Sequence, residues 1–239
     1  MIEQLKKDLQ ELATPQKAKA SEWFFKTDKG QYGEGDKFIG VTVPEQRLIA
    51  KKYKDLPLTK AEQLFKSPIH EERLVALIIL VNQFKAAVKQ NDSKIQKEIY
   101  EFYLANTGWV NNWDLVDSSA GYIVGPYLEN RSKDILYKLA KSKNLWERRI
   151  AMVATSYFIA QGDPKDALKI AEILIDDKHD LIQKAVGWML REVGKRCSEK
   201  DLTNFLDKHA ATMPRTALRY SIEHFPEGKR QYYLKSVIK

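Results

Sequence analysis

Cysteine is almost absent from this sequence, and long hydrophobic runs are absent altogether. Cys197 is the only cysteine, so the chain cannot form an internal disulfide. The longest apolar run extends from Leu74 to Val81, whereas a helix needs about 20 apolar residues to span a bilayer. The first segment, MIEQLKKDLQELA, is charged and amphipathic and lacks the apolar core of a secretory signal. These absences predict a cytoplasmic protein that does not enter a membrane.

The common metal-binding and catalytic motifs are missing as well. The segment His70-Glu71-Glu72 lacks the second histidine of a zinc-binding helix, and Cys197 has no partner ligand. No Gly-x-Ser-x-Gly nucleophile motif occurs, and no glycine-rich segment is followed by Gly-Lys-Ser/Thr. We therefore expect no bound metal and no cofactor.

Positive charge outweighs negative charge in this chain. It contains 40 lysines and arginines against 32 aspartates and glutamates, a formal net charge of +8. Such an excess attracts polyanions, either nucleic acid or an acidic lipid surface. Because no segment can span a bilayer, the protein could bind a membrane only through its surface charge. The composition therefore favours nucleic acid as the partner.

Apolar residues recur at helical spacing along almost the whole chain. Capping residues such as Asn144 and the pair Asp163-Pro164 agree with the predicted starts, and prolines separate several of the segments. The spacing predicts helices at about 2–12, 18–26, 44–54, 60–67, 70–88, 93–106, 112–124, 132–142, 145–161, 164–176, 180–196, 199–212, 214–224 and 227–237. No strand is predicted, so the fold class is all-α.

Three of these helices share a pattern of a basic residue followed by a small and then a large apolar residue. The pattern occurs as Arg73-x-x-Ala76-Leu77, Arg148-x-x-Ala151-Met152 and Lys184-x-x-Gly187-Trp188. Its spacings of 36 and 75 residues are close to one and two HEAT or armadillo repeats. Between a bundle and a solenoid, this pattern favours a HEAT/armadillo-like α-α superhelix of about six antiparallel helix pairs, with residues 1–239 forming a single domain.

One segment, from Thr27 to Val43, departs from the helical pattern and contains four glycines. The simpler interpretation is a connector between helices whose glycines adopt positive φ. The alternative is a mobile loop that brings Tyr32 and Lys37 to a ligand, since loops on a rigid scaffold often carry binding residues.

Trp113, Asp114 and Asp117 form an aromatic and acidic cluster at the start of one predicted helix. Asp114 falls in the first turn, where a carboxylate favours the backbone N–H groups and the helix dipole, and we interpret it as structural. Asp117 lies one turn after Trp113, so the two side chains share a helix face. This carboxylate either stabilises positive charge in a substrate or forms a salt bridge to a neighbouring repeat.

Two further residues lie on or beside apolar helix faces. Arg149 follows Trp146 by three residues, and it either pairs with a buried acid or reaches a phosphate, because its planar fork suits both. Trp188 occupies a position taken by a simple apolar residue in the other repeats. It either packs in the core or contacts a nucleotide.

These segments together resemble the bacterial DNA alkylation repair family, which includes the AlkD-like alkylpurine DNA glycosylases. The resemblance covers most of the chain and rests on the runs Asn112-Trp113-Asp114-Leu115-Val116-Asp117, Leu145-Trp146-Glu147-Arg148-Arg149, Ile182 to Glu192 and Pro214-Arg215-Thr216-Ala217-Leu218-Arg219. It implies a HEAT-like superhelix whose concave face binds double-stranded DNA. It also implies hydrolysis of the N-glycosidic bond of 3-methyladenine and 7-methylguanine by a monomer without metal or cofactor.

The resemblance also assigns roles to individual residues. Trp113 and Trp188 would cradle the deoxyribose of the damaged nucleotide, and Asp117 would be the catalytic carboxylate. Arg149 would contact a backbone phosphate, with Arg148 in its place if the register slips by one residue. The remaining expected DNA contacts are Tyr32, Lys184, Arg191 and Arg219.

Two other functions remain open at this point. Some members of the resembled family keep the fold and DNA binding but lack base excision, so one alternative is a non-catalytic protein that binds particular DNA structures. The other is a HEAT-type protein scaffold, which would lack a phosphate-facing basic surface. The presence of both Trp113 and Asp117 favours the enzyme.

Overall fold

The computed structural model describes residues 1–236, about two thirds of which lie in helices. Within that range there is no β-strand, and Lys37 and Ile69 form one isolated bridge. The all-α class predicted from the sequence is confirmed. The helices are α1 (Ile2–Glu11), α2 (Pro15–Phe24), α3 (Val43–Lys52), α4 (Leu58–Phe65), α5 (His70–Lys89), α6 (Ser93–Ala105), α7 (Trp113–Asp117), α8 (Ala120–Tyr127), α9 (Asp134–Ala140), α10 (Leu145–Ala154), α11 (Ser156–Ala160), α12 (Lys165–Leu174), α13 (Asp180–Arg196), α14 (Glu199–His209), α15 (Arg215–Ser221) and α16 (Glu227–Ser236).

Two of the predicted helices are wrong in their extent, because each is interrupted. The segment predicted at 112–124 contains α7 and the start of α8, and the segment at 145–161 contains α10 and α11. At the interruptions, the hydroxyl of Ser119 donates to the carbonyl of Leu115, and that of Thr155 donates to the carbonyl of Met152, each at 2.6 Å. Hydroxyls that bond back to the preceding turn compete with the backbone ladder and bend or end a helix.

The chain forms two compact units, one comprising residues 1–123 and the other beginning at residue 124. Each unit has its own buried apolar residues. The single domain expected from the sequence stays a prediction.

In the first unit, the long helix α5 packs against α3, α4, α6 and α7. Its middle part, from Leu74 to Leu77 and from Ile79 to Val81, is buried. A helix covered on several sides needs apolar residues around its whole circumference, which explains the near-continuous apolar run. Its first turn carries the buried polar residues His70, Glu71 and Arg73, so polar side chains enter this core from one end of α5.

The glycine-rich segment connects α2 to α3 and is held against the first turn of α5. The backbone N–H of Lys37 donates to Pro68 at 3.1 Å, and its carbonyl accepts from the N–H of His70 at 2.8 Å. The buried carboxylate of Glu71 accepts backbone N–H groups from residues 39–41, the shortest being 2.8 Å from Gly40. These bonds anchor the second half of the segment and support the connector interpretation.

In the second unit, α13 packs against α10, α12, α14 and α15. A Cβ atom on Gly187 would lie 2.4 Å from the carbonyl oxygen of Ala217, closer than real Cβ contacts allow. The small residue in the repeated pattern therefore lets α13 and α15 approach closely.

Candidate active site

A cleft of about 940 Å³ opens in the first unit between the end of α2, helices α3 and α5, and the α7–α8 region. The aromatic and acidic cluster identified in the sequence lies in this cleft, because Trp113, Asp114 and Asp117 all line it. The other lining residues are Phe24, Phe25, Val43, Arg47, Lys51, Leu74, Ile78, Val81, Asn82, Lys85, Ser118 and Tyr122.

Helix α7 presents Trp113 and Asp117 to this cleft from a stretch of only five residues. Asn112 caps the helix, since its side-chain oxygen accepts the backbone N–H of Trp113 at 2.8 Å. Leu115 and Val116 are fully buried on the opposite side of the helix. Trp113 and Asp117 are half-buried and lie one turn apart, so the indole and the carboxylate reach the cleft together.

Aromatic rings from the end of α2 and the following loop orient the indole of Trp113. Phe25 stacks on it with ring centroids 5.3 Å apart, and Phe24 meets it edge to face at 5.8 Å. Phe38 in turn stacks on Phe25 at 5.0 Å. Such arrangements are the favoured geometries of aromatic pairs. These phenylalanines lie far from Trp113 along the chain, so helical spacing does not predict that they contact it.

Asp114 belongs to a chain of polar groups that extends into the core. Its Oδ2 lies 2.8 Å from Nε2 of His70, and Nδ1 of His70 lies 3.0 Å from Oδ2 of Asp36. Asp36 also accepts hydrogen bonds from Arg73 at 2.6 Å and from the amide of Asn112 at 3.1 Å. The structure thus gives Asp114 a charged partner in addition to its place in the first turn of α7.

The ionisation of this cluster follows from its neighbours. Burial alone would lower the pKa of His70, but the carboxylates of Asp114 and Asp36 outweigh burial and raise that pKa to about 9. Burial alone would raise the pKa of Asp36, but the hydrogen bond from His70 and the charge of Arg73 hold it below its ordinary value. His70 is therefore an imidazolium at neutral pH, between two carboxylates.

Three exposed cations line the same cleft. Arg47 and Lys51 lie one turn apart on α3, and within residues 1–236 neither forms an ion pair. Lys85 on α5 lies over the ring of Tyr122 at 4.3 Å, an arrangement that leaves its charge exposed to solvent. By contrast Lys52, the next residue after Lys51, pairs with Asp8. Among residues 1–236, no carboxylate forms an ion pair with Arg47, Lys51 or Lys85. The cleft is thus bordered by unpaired positive charge.

The arginines predicted to contact phosphate lie in the second unit, on α10. Arg149 is 5% exposed, and its guanidinium donates to the carbonyl of Leu181. Arg148 is half-buried and donates to Asp177 at 2.7 Å. Of the two interpretations of Arg149, this geometry supports a partner within the protein.

The remaining residues proposed for DNA differ in their surroundings. Lys184 pairs with Asp180 at 2.6 Å, and Arg191 pairs with Glu223 and Glu192. Arg219 is exposed on α15 and makes no ion pair or hydrogen bond through its side chain in the described part of the chain. The half-buried side chains of Trp188, on α13, and Tyr32, in the glycine-rich segment, complete the set, and Tyr32 does not line the cleft.

Most of the residues that surround Trp113 and Asp117 are not predicted from the sequence. His70 carries a usable signal, since it opens a buried helix next to two glutamates, although its sequence context excludes only a zinc-binding motif. Arg47 and Lys51 carry another, because two cations one turn apart share a helix face. Among residues 1–236, no cluster of three or more histidine, cysteine or acidic side chains could hold a metal ion, and no helix is both long and apolar enough to cross a membrane.

Comparison with known proteins gives one family and several similar folds. A family model described as DNA alkylation repair enzyme matches residues 5–225. A predicted DNA alkylation repair enzyme from Enterococcus faecalis has a similar structure, with a TM-score of 0.68 and 16% identity, covering 90% of this chain and 97% of the other. AlkD2 from Streptococcus mutans gives a TM-score of 0.55 and 17% identity, covering 95% and 97%. No curated protein matches this sequence significantly.

Proposed function

The chain belongs to the family of DNA alkylation repair enzymes, and we propose that it is a DNA glycosylase of base excision repair. Its substrates would be alkylated, cationic purines such as 3-methyladenine and 7-methylguanine in double-stranded DNA, and the bond hydrolysed is the N-glycosidic bond. Family membership agrees with the resemblance seen in the sequence. The alkylated purine substrate and the hydrolysis of its N-glycosidic bond are what we propose beyond family membership.

One observation carries this proposal: a cleft that holds Trp113 and Asp117 together is bordered by the exposed cations Arg47, Lys51 and Lys85. A nucleotide offers the groups that such a cleft recognises, namely anionic phosphates, a sugar and a flat base. Cations bind the phosphates, and an aromatic face accepts a sugar or base of any sequence. The scaffold alternative gives no reason for a cleft in which a carboxylate and an indole lie side by side and are bordered by cations.

The chemistry needs little more than a carboxylate. A purine alkylated at N3 or N7 is already positively charged, so it leaves as a neutral base and needs no general acid. Positive charge then develops on the deoxyribose as the bond breaks. A fixed carboxylate stabilises this oxocarbenium ion and orients the attacking water, as carboxylates do at other glycosidic centres. Because the charge is already on the base, we propose that the reaction proceeds without a metal or cofactor.

Of the two cleft carboxylates, we assign this role to Asp117. Asp114 accepts a hydrogen bond from the His70 imidazolium, whose charge offsets its own. Asp117 lies on the same face as Trp113, whose ring attracts a cation through its π face. The carboxylate and the indole would therefore act on the same positively charged sugar.

The remaining DNA contacts are proposed unit by unit. In the first unit, Arg47, Lys51 and Lys85 would bind phosphates beside the cleft, and Tyr32 stays a proposed aromatic contact. In the second unit, Trp188 is proposed to contact DNA, with phosphate contacts from Arg148, Arg149, Lys184, Arg191 and Arg219. Arg219 has the strongest support, because it is exposed and unpaired within the described residues. We propose that the protein acts as a monomer on DNA in the bacterial cytosol.

The decisive experiment offers the protein duplex DNA carrying 7-methylguanine under single-turnover conditions and measures release of free base. Release of the methylated base without strand cleavage supports a glycosylase. Tight, salt-sensitive binding without release would show a non-catalytic DNA-binding protein instead. Failure to bind DNA even at low salt would point to the scaffold.

A further inference from the structure

Both ring nitrogens of the buried His70 face carboxylate oxygens. Nδ1 lies 3.0 Å from Asp36, Nε2 lies 2.8 Å from Asp114, and the residue is 1% exposed. A neutral imidazole has one N–H, so in that form one nitrogen lone pair would point at a carboxylate. Two carboxylate partners therefore require both nitrogens to carry hydrogen.

The charges of this cluster balance when His70 is protonated. His70 and Arg73 carry two positive charges, and Asp36 and Asp114 carry two negative charges. These are the charged groups that face the imidazole from α5, from the glycine-rich segment and from α7. Buried charges persist only when they are paired and hydrogen-bonded, and each of these four groups has an oppositely charged partner and at least one hydrogen bond.

The cluster holds both neighbours of Trp113. Asn112 donates its amide to Asp36, and Asp114 accepts from His70. The second oxygen of Asp114 has no hydrogen-bond partner among residues 1–236, so His70 is its anchor. Helix α7 has only five residues, and an isolated helix of that length does not hold its shape in water. The direction of the Trp113 and Asp117 side chains thus depends on what anchors this short helix.

We propose that His70 is a positioning residue for the cleft: its imidazolium ties α7 to the glycine-rich segment and so orients Trp113 and Asp117. It also offsets the charge of Asp114, which leaves the chemistry to the other carboxylate. The inference rests on the proposed glycosylase function, because the orientation of Trp113 and Asp117 affects a reaction rate only if these residues act in base release. His70 itself does not touch the substrate.

The test compares His70→Gln with the double variant His70→Gln/Asp114→Asn, both assayed for base release under single-turnover conditions. In the single variant the carboxylate of Asp114 loses its charged partner, and we expect the rate constant to fall about tenfold or more with little change in DNA affinity. In the double variant the side chains at positions 70 and 114 are both neutral and can hydrogen-bond, and Asp36 keeps Arg73 as its charged partner, so most of the rate should return. His224→Gln, at an exposed histidine, is the matched control and should behave like wild type.

A second measurement reports on orientation without relying on activity. The indole N–H signal of Trp113 in NMR spectra, assigned with Trp113→Phe, should move in the single variant and return in the double variant. In the wild type the same signal should move as the pH rises through about 9, where His70 loses its proton. This titration needs no mutation, so it still tests the inference if His70→Gln does not fold.

The outcomes separate the inference from the proposed function. If the wild type releases no base, the glycosylase proposal fails, while the indole signal still decides whether His70 positions α7. A lower melting temperature with unchanged rate and unchanged indole signal would make His70 a stabilising core residue only. A rate that stays low in the double variant, with the indole signal restored, would show that the imidazolium charge itself acts, and would overturn the positioning role.

Discussion

The ring of Phe25 stacks on the indole of Trp113, with centroids 5.3 Å apart and planes inclined by 20°. Phe38 also stacks on Phe25, with planes inclined by 15°, so Phe25 is in contact with both rings. An aromatic pair contributes about 0.5–1.5 kcal/mol beyond its buried area. The orientation of this indole is therefore set by the protein before any ligand binds, as catalysis by a preorganised site requires.

Replacing Trp113 by alanine should lower base release about 5- to 100-fold, because contact with one aromatic ring contributes about 1–3 kcal/mol to binding a nucleotide. The same loss is expected for Trp188→Ala if that residue contacts DNA. Trp109→Ala is the control, since Trp109 is 40% exposed, lies just before α7 and does not line the cleft. A large drop in melting temperature with unchanged rate per folded molecule would return either tryptophan to a packing role.

Replacing Asp117 by asparagine keeps the shape of the side chain and removes its charge. The single-turnover rate of 7-methylguanine release should fall about 10²-fold, which corresponds to about 3 kcal/mol of transition-state stabilisation. DNA affinity should stay the same or rise slightly as one negative charge leaves the cleft. Asp55→Asn is the matched control, since Asp55 is exposed and lies outside the cleft. Full activity of Asp117→Asn would refute the assignment of the catalytic carboxylate.

Removing the cleft cations one at a time should change how DNA binding responds to salt. If Arg47, Lys51 and Lys85 each neutralise a phosphate, each change to glutamine reduces the slope of log K against log salt by about 0.9. Affinity should weaken equally for all sequences, because phosphate contacts carry no base information. Lys89→Gln, one turn beyond Lys85 and outside the cleft, should leave the slope unchanged. Equal slopes for all four variants would remove these cations from the DNA surface.

The His70 cluster should make the folded state less stable at alkaline pH. The pKa of His70 is raised from 6.5 to about 9, so its contribution is fully present below pH 6.5 and is lost as the pH rises through about 9. The difference corresponds to about 3 kcal/mol in the free energy of unfolding. Urea unfolding across that pH range measures it, and His70→Gln should lack this loss. Parallel pH profiles for the wild type and the variant would contradict the pairing.

The close approach at Gly187 should make even a methyl group costly. A Cβ there would lie 2.4 Å from the carbonyl oxygen of Ala217, and forcing helices apart costs about 1–3 kcal/mol, more than the helix propensity that alanine gains. Thermal unfolding of Gly187→Ala should therefore show a lower melting temperature. Gly228→Ala is the contrasting variant, because that helical glycine has no atom within 4 Å of its added Cβ. It should leave stability unchanged or raise it slightly.

The spacing of residues along the chain was enough to predict most of the helices and the position of the glycine-rich segment between two of them. It was also enough to place Trp113 and Asp117 on one face, because residues one turn apart share a direction whatever surrounds the helix. The same reasoning failed to predict where two helices are interrupted. Each interruption depends on whether the hydroxyl of Ser119 or Thr155 donates to water or to a carbonyl of the preceding turn. The periodicity of apolar residues carries no information about that hydrogen bond.

Only the tertiary structure decided which side chains surround Trp113 and Asp117. Periodicity describes the side-chain directions of a single helix, but not which distant segment covers it. Phe25 and Asp36 come from the α2–α3 connection and His70 from the start of α5, and only folding brings them to α7. For that reason Asp114 could be predicted at a helix start but not as the partner of a buried imidazolium, whose charge depends on groups far away in the sequence.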